Sequence, residues 1–433
     1  MLRRLRAKRY ALIFMNFSRL KKQLVVFFAV LGPGLITAVA DNDAGGVATY
    51  TVAAAMYGMS SQYFVILTTV LLAVTQEIGA RIAIVTGSGL GDLIREHYGV
   101  KVAVFLFIAY FVVNQGVVLQ NVTGLKSAIQ LFGLPWQPLL IFACLLLVAL
   151  VIFLNYKNLQ RIFLVTIVFY ATYIFSAFLS QPDWAEAIKR SVILPQREFL
   201  TDFKYWFALI AVFGTTVTAW GQFFVHSYIA DKGLKPEHLK QEKAEVYLGA
   251  ILTNVFSWMI AIAVTYTLFI NGTSIEGADA AKTAALAIRP VAGELAYGLF
   301  AVGLLAASFL GLTIVPLATA YVFTEFFGYE RTLNASFGKG RVFYTFFILQ
   351  IALGLLMALI PQINLFGLTL YADYLNGALV PIIFYFLIRF SEDKQIMGEK
   401  YITRGFSSWF LRLSAIVIAF AVVATTFGRI FVK

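Results

Sequence analysis

Apolar segments of about twenty residues follow one another along almost the whole chain, and they restrict the possible folds more than any other feature. Roughly 20 mostly apolar residues are needed to cross about 30 Å of hydrocarbon. Sixty per cent of the residues are hydrophobic and 13% are charged, which excludes an ordinary soluble domain. The sequence therefore predicts an all-α, multi-pass membrane protein. Eleven spans are predicted, near residues 25–56, 61–86, 102–130, 137–154, 162–180, 204–229, 245–270, 292–327, 342–360, 364–389 and 407–428.

Basic residues indicate the orientation of these spans, because Lys and Arg accumulate in cytoplasmic loops. The basic leader at 1–24 and the loops YKNLQR, DKGLKPEHLKQEK, YERTLNASFGKGR and RFSEDKQIMGEKYITR fall on one side. Residues 181–204 are an exception, since they carry basic residues on the other side. The pattern predicts a cytoplasmic N-terminus, a place in the cell (inner) membrane and no separate soluble domain. The net charge of +12 suits anionic lipid headgroups better than nucleic acid.

The first and sixth spans carry residues that weaken a membrane helix. In the first, Asp41, Asn42 and Asp43 are followed by Gly45 and Gly46; the sixth contains GTTVTAWGQ. Breaks at equivalent points are expected of inverted five-helix repeats, whose broken helices offer carbonyl groups to a substrate near the midplane. We predict one transporter domain over 1–433, with a first repeat at 25–180, a second repeat at 204–389 and an extra helix at 407–428.

The acids of the first span indicate a cation site. Glycines such as Gly32, Gly34 and Gly214 are equally explained by close helix packing. Packing does not explain Asp41 and Asp43, because an unpaired charge at the bilayer centre costs about 3 kcal/mol or more. Carboxylate and carbonyl oxygens suit a hard or intermediate cation. The single cysteine, Cys144, leaves neither a disulfide framework nor a zinc or iron–sulfur ligand set, so no cofactor is predicted.

Other polar residues within the spans have competing explanations. Glu77 and Arg81 are one helical turn apart, so an ion pair within the helix competes with a role in ion passage. Asp373 is predicted to be a third acid of the site, and a buried ion pair or a cap at a local break is the alternative. His226 is interpreted as a hydrogen-bonded interior residue rather than a ligand, since three histidines make a histidine-rich metal site improbable.

Several motifs match those of a known family. GPG is followed at a fixed distance by a carboxylate and glycine in the first span, and the second span closes with QEIGARIAIVTGSGLGDLIREHYG. The third span, NQGVVLQNVTGLKSAIQLFG, aligns without a gap. By these motifs the chain resembles the NRAMP family of divalent-metal transporters over nearly its whole length. The resemblance implies the LeuT-type fold: two inverted five-helix repeats plus an eleventh helix, with spans one and six broken.

The resemblance also implies the metal site, with two departures. Asp43 aligns with the aspartate of the family's Asp-Pro-Gly-Asn motif, whereas Gly46 replaces its asparagine. The family's methionine in span six aligns with Ala219 or with Thr218, and neither contains sulfur. The predicted metal site consists of Asp43, Gly46, Thr216, Ala219, Gln222 and Asp373, with Asp41, Asn42, Thr218 and Asn376 as additional candidates.

These departures suggest the substrate and its coupling. A thioether favours softer ions such as Mn²⁺ over Mg²⁺, and its loss leaves an all-oxygen site that fits a partly hydrated Mg²⁺. This resembles the branch of NRAMP-related magnesium transporters. The family's proton-related histidine and span-three acid align with Gly221 and Asn121, which predicts weak or absent proton coupling.

The leading hypothesis is uptake of Mg²⁺, Mn²⁺ or both by alternating access. The alternative is a transporter of the same fold for a small cationic or polar organic solute. A membrane-embedded sensor is disfavoured, because a sizeable soluble effector domain is not apparent in the sequence. No catalytic constellation is apparent, so an enzyme is not predicted. The expected partners are the metal ion and the lipid bilayer, and the oligomeric state is not readable.

Overall fold

A computed structural model describes residues 32–154, 156–273, 275, 280–329 and 337–431. The described residues are predominantly helical and contain no β-strand, which confirms the all-α class. The predicted basic leader and the first residues of the first predicted span lie outside the described residues.

The first half of the chain contains nine α-helices among the described residues, and the longest of them, Leu90–Leu131, lies in the middle. They are α1 (Pro33–Ala40), α2 (Ala44–Tyr57), α3 (Val65–Thr86), α4 (Leu90–Leu131), α5 (Trp136–Phe153), α6 (Tyr156–Val168), α7 (Ala171–Leu179), α8 (Trp184–Val192) and α9 (Arg197–Thr201). Those of the second half are α10 (Phe203–Thr216), α11 (Ala219–Lys232), α12 (Leu239–Val264), α13 (Ala280–Phe327), α14 (Arg341–Ala358), α15 (Leu365–Glu392), α16 (Lys394–Tyr401) and α17 (Phe406–Phe431).

Ten stretches in the described ranges are long and apolar enough to cross a membrane. They correspond one for one to the second through eleventh predicted spans. The first predicted span is not among them, because it divides into helices of 8 and 14 residues. The fifth, Asn158–Leu179, consists of α6 and α7 joined by a turn, and α4 begins well before its predicted start near 102.

The first span breaks where its sequence supplies caps for two helices. Helix α1 ends at Ala40, and α2 begins at Ala44. The carboxylate of Asp43 accepts a 2.9 Å hydrogen bond from the backbone N–H of Gly46, which satisfies one of the free amides at the start of α2. The predicted break is therefore confirmed, and Asp43 is the residue that starts the second helix.

The sixth span breaks in the same way. Helix α10 ends at Thr216, and the hydroxyl of Thr218 accepts a 3.0 Å hydrogen bond from the backbone N–H of Gly221 to start α11. The apolar window of this span is entirely buried, whereas only 17% of that of α17 is buried. The broken sixth span thus lies at the centre of the bundle, and α17 lies at its edge.

Packing explains two of the glycines near the breaks. A Cβ on Gly34 would collide with Val246 of α12, and a Cβ on Gly214 would collide with the backbone of Asp373 in α15. These glycines allow α1 and α10 to approach α12 and α15 closely, as small residues do in membrane helices. Both contacts hold the first halves of the broken helices against intact neighbours.

Candidate functional site

The two helix breaks lie against each other in the interior. Asp41, at the C-terminal end of α1, accepts a 2.8 Å hydrogen bond from the hydroxyl of Thr218, at the N-terminal end of α11. The hydroxyls of Tyr50 in α2 and Thr216 in α10 lie 2.8 Å apart and form a second link. All four side chains are at most 3% exposed. The structure therefore brings together the two segments that the sequence predicts to form the site.

Asp43 is held by donors on both carboxylate oxygens. Oδ1 accepts from the backbone N–H of Gly46, and Oδ2 accepts from the side-chain amide of Asn121 in α4 at 2.6 Å. The amide oxygen of Asn121 in turn accepts from the backbone N–H of Ala44 at 3.1 Å. Asn121 thus fixes both the carboxylate and the start of α2, which a carboxylate at this position could do only if it were protonated.

Asn42, between the two acids, points to another helix. Its amide nitrogen donates to the backbone carbonyl and to the hydroxyl of Thr253 in α12, at 2.8 and 2.6 Å. The hydroxyl of Thr253 donates to the carbonyl of Ala38 at 2.6 Å. These bonds tie the break in the first span to α12, so we interpret Asn42 as a residue that positions the break.

Asp373 is buried beside α2. Its carboxylate accepts from the hydroxyl of Thr49 at 2.5 Å, and Thr49 lies 2.6 Å from the hydroxyl of Thr369. The hydroxyl of Thr369 donates to the carbonyl of Gly45 at 2.9 Å. The suggestion that Asp373 caps a local break is wrong, because α15 is continuous there. None of the ion pairs found among the described residues includes Asp373.

The remaining predicted site residues are all buried near the breaks. The amide oxygen of Asn376 accepts a 2.8 Å hydrogen bond from the backbone N–H of Ala219, so α15 helps to start α11. Gln222 is fully buried, and its side-chain amide has no hydrogen-bond partner among the described residues. Gly46 and Gly221 are the first-turn amide donors of α2 and α11.

Helix ends add to the electrostatics of this region. The C-terminal ends of α1 and α10 present partial negative charge, and the N-terminal ends of α2 and α11 present partial positive charge. Asp43 lies near enough to Asp41 and Asp373 to act on both electrostatically. No group of three His, Cys, Asp or Glu side chains that could hold a metal together occurs among the described residues.

Glu77 and Arg81 form the predicted pair within one helix, with Arg81 Nε 3.2 Å from Glu77. Arg81 also donates to the backbone carbonyl of Tyr401 at 2.6 Å and to the hydroxyl of Thr403 at 2.9 Å. These bonds attach α3 to the last residue of α16 and to the segment that follows it. The contacts indicate a structural role for Arg81.

We expect Arg81→Gln to lower the melting temperature of the detergent-solubilised protein without changing the KM of uptake. The substitution removes hydrogen bonds from a charged donor, each worth about 1.5 to 3 kcal/mol. Arg404→Gln is the control, because Arg404 pairs with Glu399 on the surface and its side chain is 64% exposed. A raised KM with an unchanged melting temperature would instead assign Arg81 to ion passage.

His226 is fully buried in α11 and packs against Gly79 of α3. Its Nδ1 lies 2.7 Å from the backbone carbonyl of Gln222, one turn earlier in the same helix. Its Nε2 has no hydrogen-bond partner among the described residues. This environment agrees with the interpretation of His226 as an interior residue.

Sequence reasoning missed several hydroxyls of the site. Thr49 donates to Asp373, Tyr50 bonds to Thr216, Thr253 accepts from Asn42, and Thr369 donates to the carbonyl of Gly45 in the first turn of α2. Threonine in membrane helices commonly bonds to its own backbone, so its presence alone carries no signal. Only the positions of these residues relative to the breaks distinguish them.

Comparison with known proteins identifies relatives of this arrangement. A sequence profile described as Natural resistance-associated macrophage protein-like (Nramp) matches residues 34–428. The chain is 23% identical over 419 residues to the divalent metal cation transporter MntH of Latilactobacillus sakei, an alignment that covers 92% of this chain and 90% of that protein.

Solved structures share the fold. A mutant of the manganese transporter of Eremococcus coleocola superposes with a TM-score of 0.71 at 16% identity, covering 92% of this chain and 87% of that one. MhsT in complex with L-phenylalanine gives a TM-score of 0.57 at 16% identity, covering 91% and 97% of the two chains. The predicted LeuT-type fold is confirmed by these similarities.

Proposed function

Because the chain belongs to the Nramp family, whose profile matches residues 34–428, we propose that it carries divalent cations across a membrane. Proteins of this family are metal transporters, so the chain is not an enzyme. One observation carries the proposal for this chain: two buried carboxylates, Asp41 and Asp43, lie at the break of the first span and against the break of the sixth. Carboxylate oxygens are the ligands that hard divalent cations such as Mg²⁺ take in proteins.

The donor set favours Mg²⁺, with Mn²⁺ also accepted. Oxygen atoms surround the breaks, from Asp43, Thr216 and the carbonyls at the ends of α1 and α10. Either Ala219 or Thr218 aligns with the family's methionine, and neither contains sulfur. Mg²⁺ sheds its waters reluctantly and is usually held by one or two carboxylates with several waters kept. A site with few protein ligands, all of them oxygen atoms, suits such a partly hydrated ion.

Proton coupling is weak or absent in this proposal. Asn121 cannot exchange a proton near neutral pH, and its amide donates to Asp43. Gly221 has no side chain where the family has a histidine. Metal entry is then driven by the metal gradient and by the membrane potential, which contributes about 2.3 kcal/mol per charge for every 100 mV.

Transport would proceed by alternating access around the two breaks. The two repeats, at 25–180 and 204–389, would rock against each other, with the helix at 407–428 outside them. The N-terminus would face the cytoplasm of the cell. The bundle centre is consistent with this movement, because the broken helices there are held by side-chain hydrogen bonds rather than by a continuous backbone.

Uptake by the purified protein in liposomes tests the proposal. We expect Mg²⁺ and Mn²⁺ to accumulate faster than in protein-free liposomes, and faster still when a K⁺ gradient with valinomycin makes the interior negative. An internal pH dye should remain unchanged during metal entry. Acidification that follows metal entry would show proton coupling, and the absence of any metal uptake would contradict the function itself.

A transporter of a non-metal solute is the alternative. It is motivated by the loss of two ligands of the family's metal site, at Gly46 and at Ala219 or Thr218. Titration of the purified protein with Mn²⁺ in a calorimeter separates the two proposals. The metal proposal requires binding heat that disappears in Asp43→Asn, whereas the alternative requires no heat that depends on Asp43.

A further inference from the structure

Asp41 and Asp43 differ in what their oxygens already bind. Both oxygens of Asp43 accept hydrogen bonds, and the carboxylate lies at the positive end of α2. Only Oδ1 of Asp41 has a donor, the hydroxyl of Thr218, and Oδ2 has no partner among the described residues. Asp41 also lies at the negative end of α1, which adds to its attraction for a cation.

A second unpartnered group lies beside Asp41. Gln76 of α3 is fully buried, and neither atom of its side-chain amide has a hydrogen-bond partner among the described residues. Leaving a buried polar group without a partner costs about 1 to 3 kcal/mol. Because nothing holds the amide, it can turn its oxygen toward a ligand. The amide of Gln76 is therefore available to a molecule or ion that the protein itself does not provide.

Gly221 leaves the space between these two groups open. A Cβ at this position would lie 3.2 Å from Asp41 Oδ1 and 3.8 Å from Gln76 Nε2. It would also lie only 2.5 Å from the hydroxyl oxygen of Thr218, which is closer than real Cβ atoms approach. A side chain there would displace Thr218 from Asp41. The glycine thus keeps the carboxylate, the hydroxyl and the amide around one small volume.

We propose that Asp41 and Gln76 form a second cation position, next to that of Asp43. The position takes a hard divalent cation, bound by Asp41 Oδ2 and by the amide oxygen of Gln76, with water as the remaining ligands. This proposal rests on the proposed function, since the second position lies on the path of the same transported cation. An ion moving past the break of the first span would pass from one carboxylate to the other.

Mn²⁺ titration of the purified full-length chain tests this position. Asp41→Asn keeps an oxygen for Thr218 but removes the charge, so we expect the Mn²⁺ dissociation constant to rise by about tenfold or more. The double variant D41N/Q76E returns a carboxylate to the same volume from α3. We expect it to bind Mn²⁺ within about threefold of the wild type, because the charge is restored beside the ion.

The control and the contrary outcomes are distinct. D41N/Q115E places a carboxylate on α4, where the amide of Gln115 donates to the carbonyl of Gln350, and it should not rescue binding. The second position would be overturned if D41N bound Mn²⁺ with the dissociation constant of the wild type. It would also be overturned if D41N lost binding and Q76E restored it no better than Q115E. A wild-type protein that neither binds nor transports Mn²⁺ would instead contradict the proposed function.

Discussion

Replacing Asp43 by asparagine is expected to abolish uptake of Mg²⁺ and Mn²⁺ while the protein still folds. Asparagine caps a helix as well as aspartate does, so the start of α2 is kept. The substitution removes the charge that attracts the ion, and it also replaces the oxygen that accepts from Asn121 with an amide nitrogen that cannot accept. Loss of one member of a buried charge pair costs about 3 to 5 kcal/mol, which is roughly a hundredfold or more in affinity. Initial rates of uptake into liposomes measure the effect.

Asp183→Asn is the matched control for Asp43→Asn. Asp183 is exposed, starts α8 and accepts from the backbone N–H of Glu186 at 3.0 Å, just as Asp43 accepts from Gly46. Uptake by this variant should equal that of the wild type. If Asp43→Asn transports at more than half the wild-type rate while melting normally, Asp43 is a helix cap and not a ligand of the ion.

The spans and breaks were predictable because they follow from local sequence. The stretch Trp136–Phe153 is so apolar that its composition alone identifies it as a membrane span, and the predicted bounds are 137–154. The breaks were predictable because glycines and acids within a span have few other uses. The turn between α6 and α7 was not, since no glycine or proline marks residues 169–170.

The partners of the site residues could not be predicted, because they depend on contacts between distant segments. Asn42 looks like a candidate ligand in sequence, and only the structure shows that its amide donates to Thr253, 211 residues away. Asn121 looks like the loss of a family acid. In the structure its amide donates to Asp43 and accepts from the backbone of Ala44 in α2. Asn121 therefore holds the break in place, and an alignment does not show this role.

Gly46→Asn has the second large expected effect, and sequence and structure disagree about its direction. Alignment with the family suggests that asparagine at this position would restore a metal ligand and tighten binding. A Cβ on Gly46 would lie 2.6 Å from the backbone carbonyl oxygen of Asp41, closer than real Cβ atoms approach. It would also lie 3.2 Å from the hydroxyl of Thr215. We therefore expect Gly46→Asn to lower both the melting temperature and the uptake rate.

The cause lies in the Cβ, so Gly46→Ala should show most of the same loss. The contact is with backbone, which cannot rotate away as a side chain can, and overpacking of this kind costs about 1 to 3 kcal/mol. Gly116→Asn is the control, since a Cβ on this glycine of α4 would meet only Ala372 at an ordinary 3.5 Å. Tighter Mn²⁺ binding by Gly46→Asn with a wild-type melting temperature would show that the break between α1 and α2 opens to admit a side chain. The close approach of Gly46 to Asp41 would then belong to one state of the transport cycle, and the ion would meet a wider site in the other.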